Sequence, residues 1–300
     1  VFFYDSNTNG CIGFDISGNA FTPKAPAGQT TIPQVQSISA DGRIWVGFGM
    51  DDVLAFGGMY RPLKWTDGGT PEVLPVPELN FRNEPYVAGV MARGCSADGS
   101  VIYGSTWDNL DCGMLYWKDG KVDWVGKDIR ETTTVIRTSP KDGTEYEYTC
   151  VNGIICQAWN TQISPSGRWI AGRYRKEFDP ATGQEIETEE YAAFYNTETE
   201  TTTVVEDYGE ATGMHVTDDG IAFIGIGTLG ISSGKVYDLN TGTDLGDTQD
   251  WVYDKYGIII PAGYINYISP DGRFVLGTKA ESSAGGVNFI NWYIAPPRAK

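Results

Sequence analysis

An all-β fold of four-stranded β-propeller blades is predicted by three features of this 300-residue sequence. A short pattern, Ser/Thr-x-Asp-Gly followed by four strand-forming residues and a second Gly, recurs five times along the chain. A looser aromatic hairpin signal follows in each of the first four periods. The composition, with 38 Gly and 13% aromatic residues, suits a turn-dense all-β protein whose rings fill the spaces between sheets.

The five corners are Ser39-Ala40-Asp41-Gly42 to Gly47, Ser96-Ala97-Asp98-Gly99 to Gly104, Ser164-Pro165-Ser166-Gly167 to Gly172, Thr217-Asp218-Asp219-Gly220 to Gly225 and Ser269-Pro270-Asp271-Gly272 to Gly277. Their first residues are 57, 68, 53 and 52 apart. Hydroxyl and carboxylate can bond nearby backbone N–H groups, and Gly takes a positive φ without steric cost. An apolar run follows each corner, such as Ile44-Trp45-Val46, Trp169-Ile170-Ala171 or Phe274-Val275-Leu276, and reads as a strand buried on both faces. A β-prone segment precedes each corner, so every unit opens with a hairpin. The second hairpin is marked by Leu63-Lys64-Trp65-Thr66-Asp67-Gly68, Leu115 to Gly120, Ala193 to Thr197 and Val236 to Gly242. Two hairpins make four strands, A to D, and such a unit cannot bury its own faces alone.

In chain order, residues 1–16 read as a strand pair that closes the ring by completing the last blade. Residues 17–34, rich in Gly, Pro, Thr and Ala, read as a connection. Blades are expected at 35–77, 86–126, 158–206, 212–246 and 262–296, within one domain. Residues 127–157 form an insertion or a degenerate sixth blade, so five blades are recognisable and six are allowed. The start at Val1, inside a hairpin, suggests a trimmed chain with any signal peptide already removed.

The S-x-D-G-x-x-x-x-G corner followed by "WT-DG" or "VYDLNTGTDLG" resembles the extracellular HAF-type repeat. It is also similar to the SPDG blade motif of WD40-like and TolB-like propellers. The sialidase Asp-box is similar only superficially, because it has a residue between Asp and Gly. The resemblance implies a β-propeller in an extracytoplasmic setting, whether secreted, periplasmic or surface-anchored, and implies no reaction.

A formal charge of −17 repels polyphosphates, and no basic cluster offsets it, so nucleic acid is not expected as a partner. No apolar run reaches the roughly 18 residues of a membrane helix. Cys150 and Cys156 flank Val151-Asn152-Gly153, a hairpin-turn signal, and could bridge if their strands pair; alternatively all five cysteines are small buried groups. Asp5 to Gly10 matches the front of a calcium loop, but Ile16 stands where a bidentate Glu is needed, which favours a plain turn and no metal. His215, the only histidine, lacks triad partners and reads as a core residue. Gly225-Ile226-Gly227 lacks the remainder of a phosphate-binding loop. No cofactor is expected.

With A–B and C–D turns at one end of each sheet, the longer B–C and D–A connections gather at the other, where binding residues usually reside. Candidate ligand-binding residues there are Asp51, Asp52, Tyr86, Trp107, Asp108, Trp251, Asp254 and Tyr256. Flat rings beside hydrogen-bonding carboxylates suit a sugar. The expected function is a monomeric binding or scaffold propeller for a carbohydrate or a protein. The alternative is a propeller glycoside hydrolase or lyase using carboxylates from different blades, such as Asp51, Asp108, Glu177 and Asp254, which would need separations of about 5–5.5 or 6.5–9.5 Å.

Overall fold

The computed structural model describes residues 2–5, 10–14, 17–27, 32–51, 59–80, 84–85, 89–107, 113–157, 162–227, 233–269, 272–283 and 286–295. The architecture is all-β, and its sheets are propeller blades, antiparallel and in chain order. The chain divides into two compact units, Val1–Trp124 and Val125–Lys300.

The first unit begins with a three-stranded sheet, β1 (Phe2–Asp5), β2 (Gly10–Phe14) and β3 (Ala20–Phe21). Blade one is β4 (Gln34–Ile38), β5 (Ile44–Asp51), β6 (Met59–Thr66) and β7 (Glu72–Val73); blade two is β8 (Gly89–Cys95), β9 (Val101–Trp107), β10 (Met114–Lys118) and β11 (Lys121–Trp124). The second unit opens with a 3-10 turn at Lys127–Ile129 and a two-stranded hairpin, β12 (Glu131–Thr138) and β13 (Glu145–Asn152). Blade three is β14 (Ile154–Cys156), β15 (Trp169–Phe178), β16 (Glu185–Asn196) and β17 (Thr201–Val205). Blade four is β18 (Ala211–Val216), β19 (Ile221–Ile226), β20 (Ser233–Asp238) and β21 (Thr243–Asp247). Helix α1 (Thr248–Tyr256) leads to a last sheet of three described strands, β22 (Tyr264–Ile268), β23 (Val275–Ser283) and β24 (Gly286–Ile294).

Each corner works through its hydroxyl. Ser39 Oγ donates to Asp41 Oδ1 at 2.6 Å and accepts from Ile44 N at 2.9 Å, while Arg43 N donates to the same carboxylate at 3.0 Å. Ser96 and Asp98 repeat this with Val101 N at 3.0 Å and Ser100 N at 2.9 Å. Thr217 bonds Asp219 and accepts from Ile221 N, and Ser269 Oγ accepts from Phe274 N at 2.9 Å. The Gly of every corner is left-handed, with φ between 65° at Gly272 and 85° at Gly220. These bonds hold the Asp41 and Asp98 carboxyls below the usual carboxylate range, chiefly through the serine hydroxyl. Blade three lacks the aspartate, and its neighbour supplies one: Asp218 Oδ1 accepts from Ser166 N at 2.8 Å and Ser166 Oγ at 2.6 Å.

The second Gly of the repeat has a separate cause. Strand A carries a β-bulge three residues before the corner hydroxyl, at Gln36, Arg93, Met214 and Asn266. The bulge drives strand A's carbonyl onto strand B, so a Cβ at Gly47 would stand 1.9 Å from Gln34 O and one at Gly104 would stand 2.3 Å from Met91 O.

Blades pack face to face within a unit. Trp169, Ala171 and Phe194 of blade three meet Val216, Ala222 and Ile224 of blade four. Phe223 and Val236 of blade four share a second cluster with Val252 of α1 and with Ile265, Val275 and Trp292 of the last sheet. Complete burial of such side chains stabilises by about 1.5–3 kcal/mol each.

Within the first unit β1 pairs with β2, β2 pairs in turn with β3, and Phe2 packs edge-on against Trp45 at 5.0 Å. Two expectations are corrected. Cys150 and Cys156 are not joined to each other. Cys150 is a buried thiol that donates to Gly183 O at 3.5 Å, while Cys156 is disulfide-bonded. The reason is that Val151-Asn152-Gly153 is no hairpin turn: β13 pairs with β12 and β14 pairs with β15. The connection expected from Arg173 to Tyr191 is mostly strand, with β15 and β16 extending to a short loop at 179–184. Residues 6–9 of the calcium-like segment lie outside the described residues, between strands that pair Asp5 with Gly10.

Asp218→Ala should destabilise the second unit by about 1 kcal/mol, the typical worth of a side-chain acceptor for turn N–H groups. Ser166→Asp should destabilise the wild type, by placing a carboxylate against Asp218, and should restore stability in the Asp218→Ala background. Urea titrations of the four proteins measure this coupling. Additive effects would show that Asp218 does not serve the third corner.

Candidate functional site

The long-connection end of blade three carries a described concavity. Strands β15 and β16 run past the body of the sheet and alternate aromatic and charged residues: Tyr174 pairs with Tyr191, Arg175 with Glu190 and Lys176 with Glu189. The result is a ladder of opposite charges. Arg173 Nη1 lies 2.7 Å from Glu190 Oε2, Arg175 Nη2 lies 2.6 Å from Glu177 Oε1, and Lys176 Nζ lies 3.4 Å from Glu189 Oε2. The Tyr174 and Tyr191 rings are 6.1 Å apart and tilted by 33°. A cavity of about 520 Å³ opens beside them, lined by Arg175, Glu187, Glu189, Glu190, Tyr191 and Glu210.

Hairpin β12–β13 braces this end. Arg137 sits over the Tyr148 ring at 4.1 Å and reaches Glu185 Oε1 at 3.1 Å. Buried Asn152 donates to Phe178 O at 2.6 Å and accepts from Glu177 N and Phe178 N, both at 3.1 Å. Three bonds from one buried amide fix where β15 ends. The hairpin's own turn, Ser139-Pro140-Lys141-Asp142-Gly143, is the corner motif with one residue added, and Gly143 N donates to Ser139 O at 2.9 Å.

The sequence-predicted residues are placed as follows. Asp51 ends β5 opposite Met59, and Trp107 ends β9 opposite Gly89. Asp52, Tyr86 and Asp108 lie outside the described residues. Trp251, Asp254 and Tyr256 lie on a helix rather than a loop. Asp250 in its first turn and Lys255 in its last complement the helix dipole, and Gly257 ends it at φ 67°, donating to Tyr253 O at 2.7 Å. Trp251 meets Phe223 edge-on at 5.1 Å, Tyr256 Oη donates to Gly272 O of the fifth corner at 2.9 Å, and Asp254 is exposed. The helix therefore reaches the corner end of its neighbours. There it borders a second cavity of about 390 Å³, between Pro165, Asp218, Asp219, Lys255 and Ser269. Among the described residues no group of three or more His, Cys, Asp and Glu side chains could hold a metal ion.

Similarity to known structures lies at the level of fold. No protein-family model matches the sequence, and no curated protein matches it. Among solved structures the chain is similar to TolB from Acinetobacter baumannii, at 10% identity and TM-score 0.45, over 84% of this chain and 51% of that one. It is also similar to a prolyl endopeptidase, at 11% identity and TM-score 0.34, over 94% and 42%. A third is hydrazine synthase of Kuenenia stuttgartiensis, at 13% identity and TM-score 0.37, over 96% and 91%. The chain thus spans about half of the TolB chain and less than half of the endopeptidase. No described helix is long and apolar enough to cross a membrane.

Sequence reasoning missed Arg175, Glu190 and Tyr191, having read their segment as a loop. The signal was the alternation on both sides of Asp179-Pro180-Ala181-Thr182-Gly183, which has the form of a hairpin. The helix was also legible in its cap residues.

His215 lines neither cavity, though its hydrogen-bond partner Ile268 lines the second. It is fully buried, stacks on Phe223 at 6.1 Å, and accepts from Ile268 N through Nε2 at 3.3 Å. Burial lowers its pKa to about 3. The unfolded chain binds a proton here near pH 6.5 and the folded chain does not, so stability should fall as pH drops from about 6.5 towards 3. His215→Gln, which keeps an acceptor, should flatten that decline in urea titrations between pH 7 and pH 4. An unchanged slope would assign the acid sensitivity to other groups.

Proposed function

We propose that this chain is an extracytoplasmic binding or scaffold propeller that recognises a carbohydrate through its long-connection ends, acting as a monomer. The supporting observation is the cavity on blade three, where Tyr191 shares the lining with Arg175, Glu189 and Glu190. Sugars present C–H faces to rings and hydroxyls to fixed donors and acceptors, and such a lining supplies both kinds of partner. Glu190 and Glu177 are engaged by arginines, as suits hydrogen bonding to hydroxyls better than proton transfer to a leaving group. That favours recognition over glycoside hydrolysis. Asp51, Asp52, Tyr86, Trp107 and Asp108 are the proposed contacts at the long connections of the first unit, whereas the helix carrying Trp251, Asp254 and Tyr256 reaches the corner end and lies apart from that surface. A protein ligand on the same connections is the second reading.

A glycan array probed with the wild type should show a restricted set of bound glycans. Tyr191→Ala and Glu190→Gln should each weaken that binding by about tenfold, the scale of one ring contact or one charged hydrogen bond. Trp107→Ala and Asp108→Ala test the first unit in the same assay. Absence of binding by the folded wild type would remove the carbohydrate reading.

A further inference from the structure

We propose that Arg93 anchors an anion site on blade two that takes the carboxylate of a sugar acid. Arg93 is the bulged residue of β8: Ala92 pairs with Gly104 and Gly94 with Tyr103, leaving Arg93 without a cross-strand partner. A bulge re-aims the side chain it carries, and bulges recur beside functional sites. The equivalent residues in the other bulged strands are neutral, namely Gln36, Met214 and Asn266. A cation at this position is peculiar to blade two.

Among the described residues its surroundings supply no counter-ion. Arg93 Nε donates to Ser105 Oγ at 3.3 Å, and the guanidinium carbon lies 5.9 Å from the centre of the Phe48 ring. Tyr60 meets Phe48 edge-on at 5.1 Å, which gives the site an aromatic wall. Arg43, Arg137, Arg168, Arg173 and Arg175 each pair with a carboxylate. Among the described residues Arg93 has no such partner, in a chain where 39 acids outnumber 22 bases. The Arg93 side chain is half-buried. That burial disfavours its charge, and a bound anion would relieve the penalty.

The chemistry selects the ligand. A guanidinium fork matches a planar carboxylate in two parallel hydrogen bonds, and Phe48 and Tyr60 offer an apolar face to the body carrying it. The net charge of −17 repels polyanions at distance and leaves a singly charged ligand as the better fit. The choice of a sugar as carrier rests on the carbohydrate reading above; the anion site does not.

The test measures binding of glucuronate, glucose and acetate at fixed ionic strength by ligand-detected NMR, with wild type, Arg93→Lys and Arg93→Gln. The wild type should bind glucuronate about tenfold or more tightly than either glucose or acetate. Arg93→Gln should abolish the preference over glucose, and Arg93→Lys should keep only part of it, because an ammonium lacks the fork. Thermal melting confirms that the variants fold, and the wild-type comparison stands without them. Equal binding of glucuronate and glucose, or an unchanged preference in Arg93→Gln, overturns the proposal while leaving the carbohydrate reading intact. Acetate bound as well as glucuronate overturns the sugar assignment. No binding of any of the three overturns the site.

Discussion

The structure depends on a five-residue contact between a corner hydroxyl and the backbone N–H that begins the next strand. Ser39, Ser96, Ser164 and Ser269 each accept from the residue five positions on, and Thr217 from the residue four positions on. Such a bond sets where strand B begins, and the bulge three residues upstream sets the register with which strand A meets it. A one-residue slip would turn every inward side chain outward. In a sheet buried on both faces that slip would expose one apolar surface and bury polar groups on the other. The corner and the bulge together specify the register, and at Gly47 and Gly104 the second Gly leaves room for the carbonyl of strand A.

Once register is fixed, face-to-face packing provides the main apolar burial. No blade covers its own faces, so Phe194 and Ile224, both fully buried, owe their burial to the neighbouring sheet. The same logic explains the two additions in the second unit. Helix α1 inserts Val252 between blade four and the last sheet, and the β12–β13 hairpin covers the overhang of blade three through Asn152 and Arg137. Each extends the repeat by bringing an apolar or amide group to a surface the four-stranded unit leaves open.

Charge is distributed with the same economy. Arg43, Arg137, Arg168, Arg173 and Arg175 are each matched by a carboxylate, and corner aspartates are satisfied by hydroxyls and backbone N–H groups. These acids are structural rather than available for chemistry. Asp41, Asp98 and Asp238, whose carboxyls are held below their ordinary range by local hydrogen bonds, are components of turns. Against that background Arg93 stands out, since among the described residues Phe48 of blade one gives it a ring and Ser105 of blade two a hydroxyl, but none gives it an acid.

The repeat, the all-β class, the strands flanking four of the five corners and the aromatic second hairpins were legible in the sequence, because each rests on contacts within about ten residues. Ser39 finds Asp41, and Gly42 turns, whatever the rest of the chain does. The pairing of Cys156, the helix in place of a loop at Thr248–Tyr256, the length of β15 and β16, and the loan of Asp218 to the third corner were decided by tertiary structure. In each of these the deciding partner is remote in sequence, as with Ser166 and Asp218 or Asn152 and Phe178, or the local signal is ambiguous until neighbouring sheets bury one alternative. The candidate residues divide on the same line. Residue type pointed to rings and acids at the long connections, but only cross-strand register showed that Tyr174 faces Tyr191 and that Arg93, alone on its bulge, faces no partner strand.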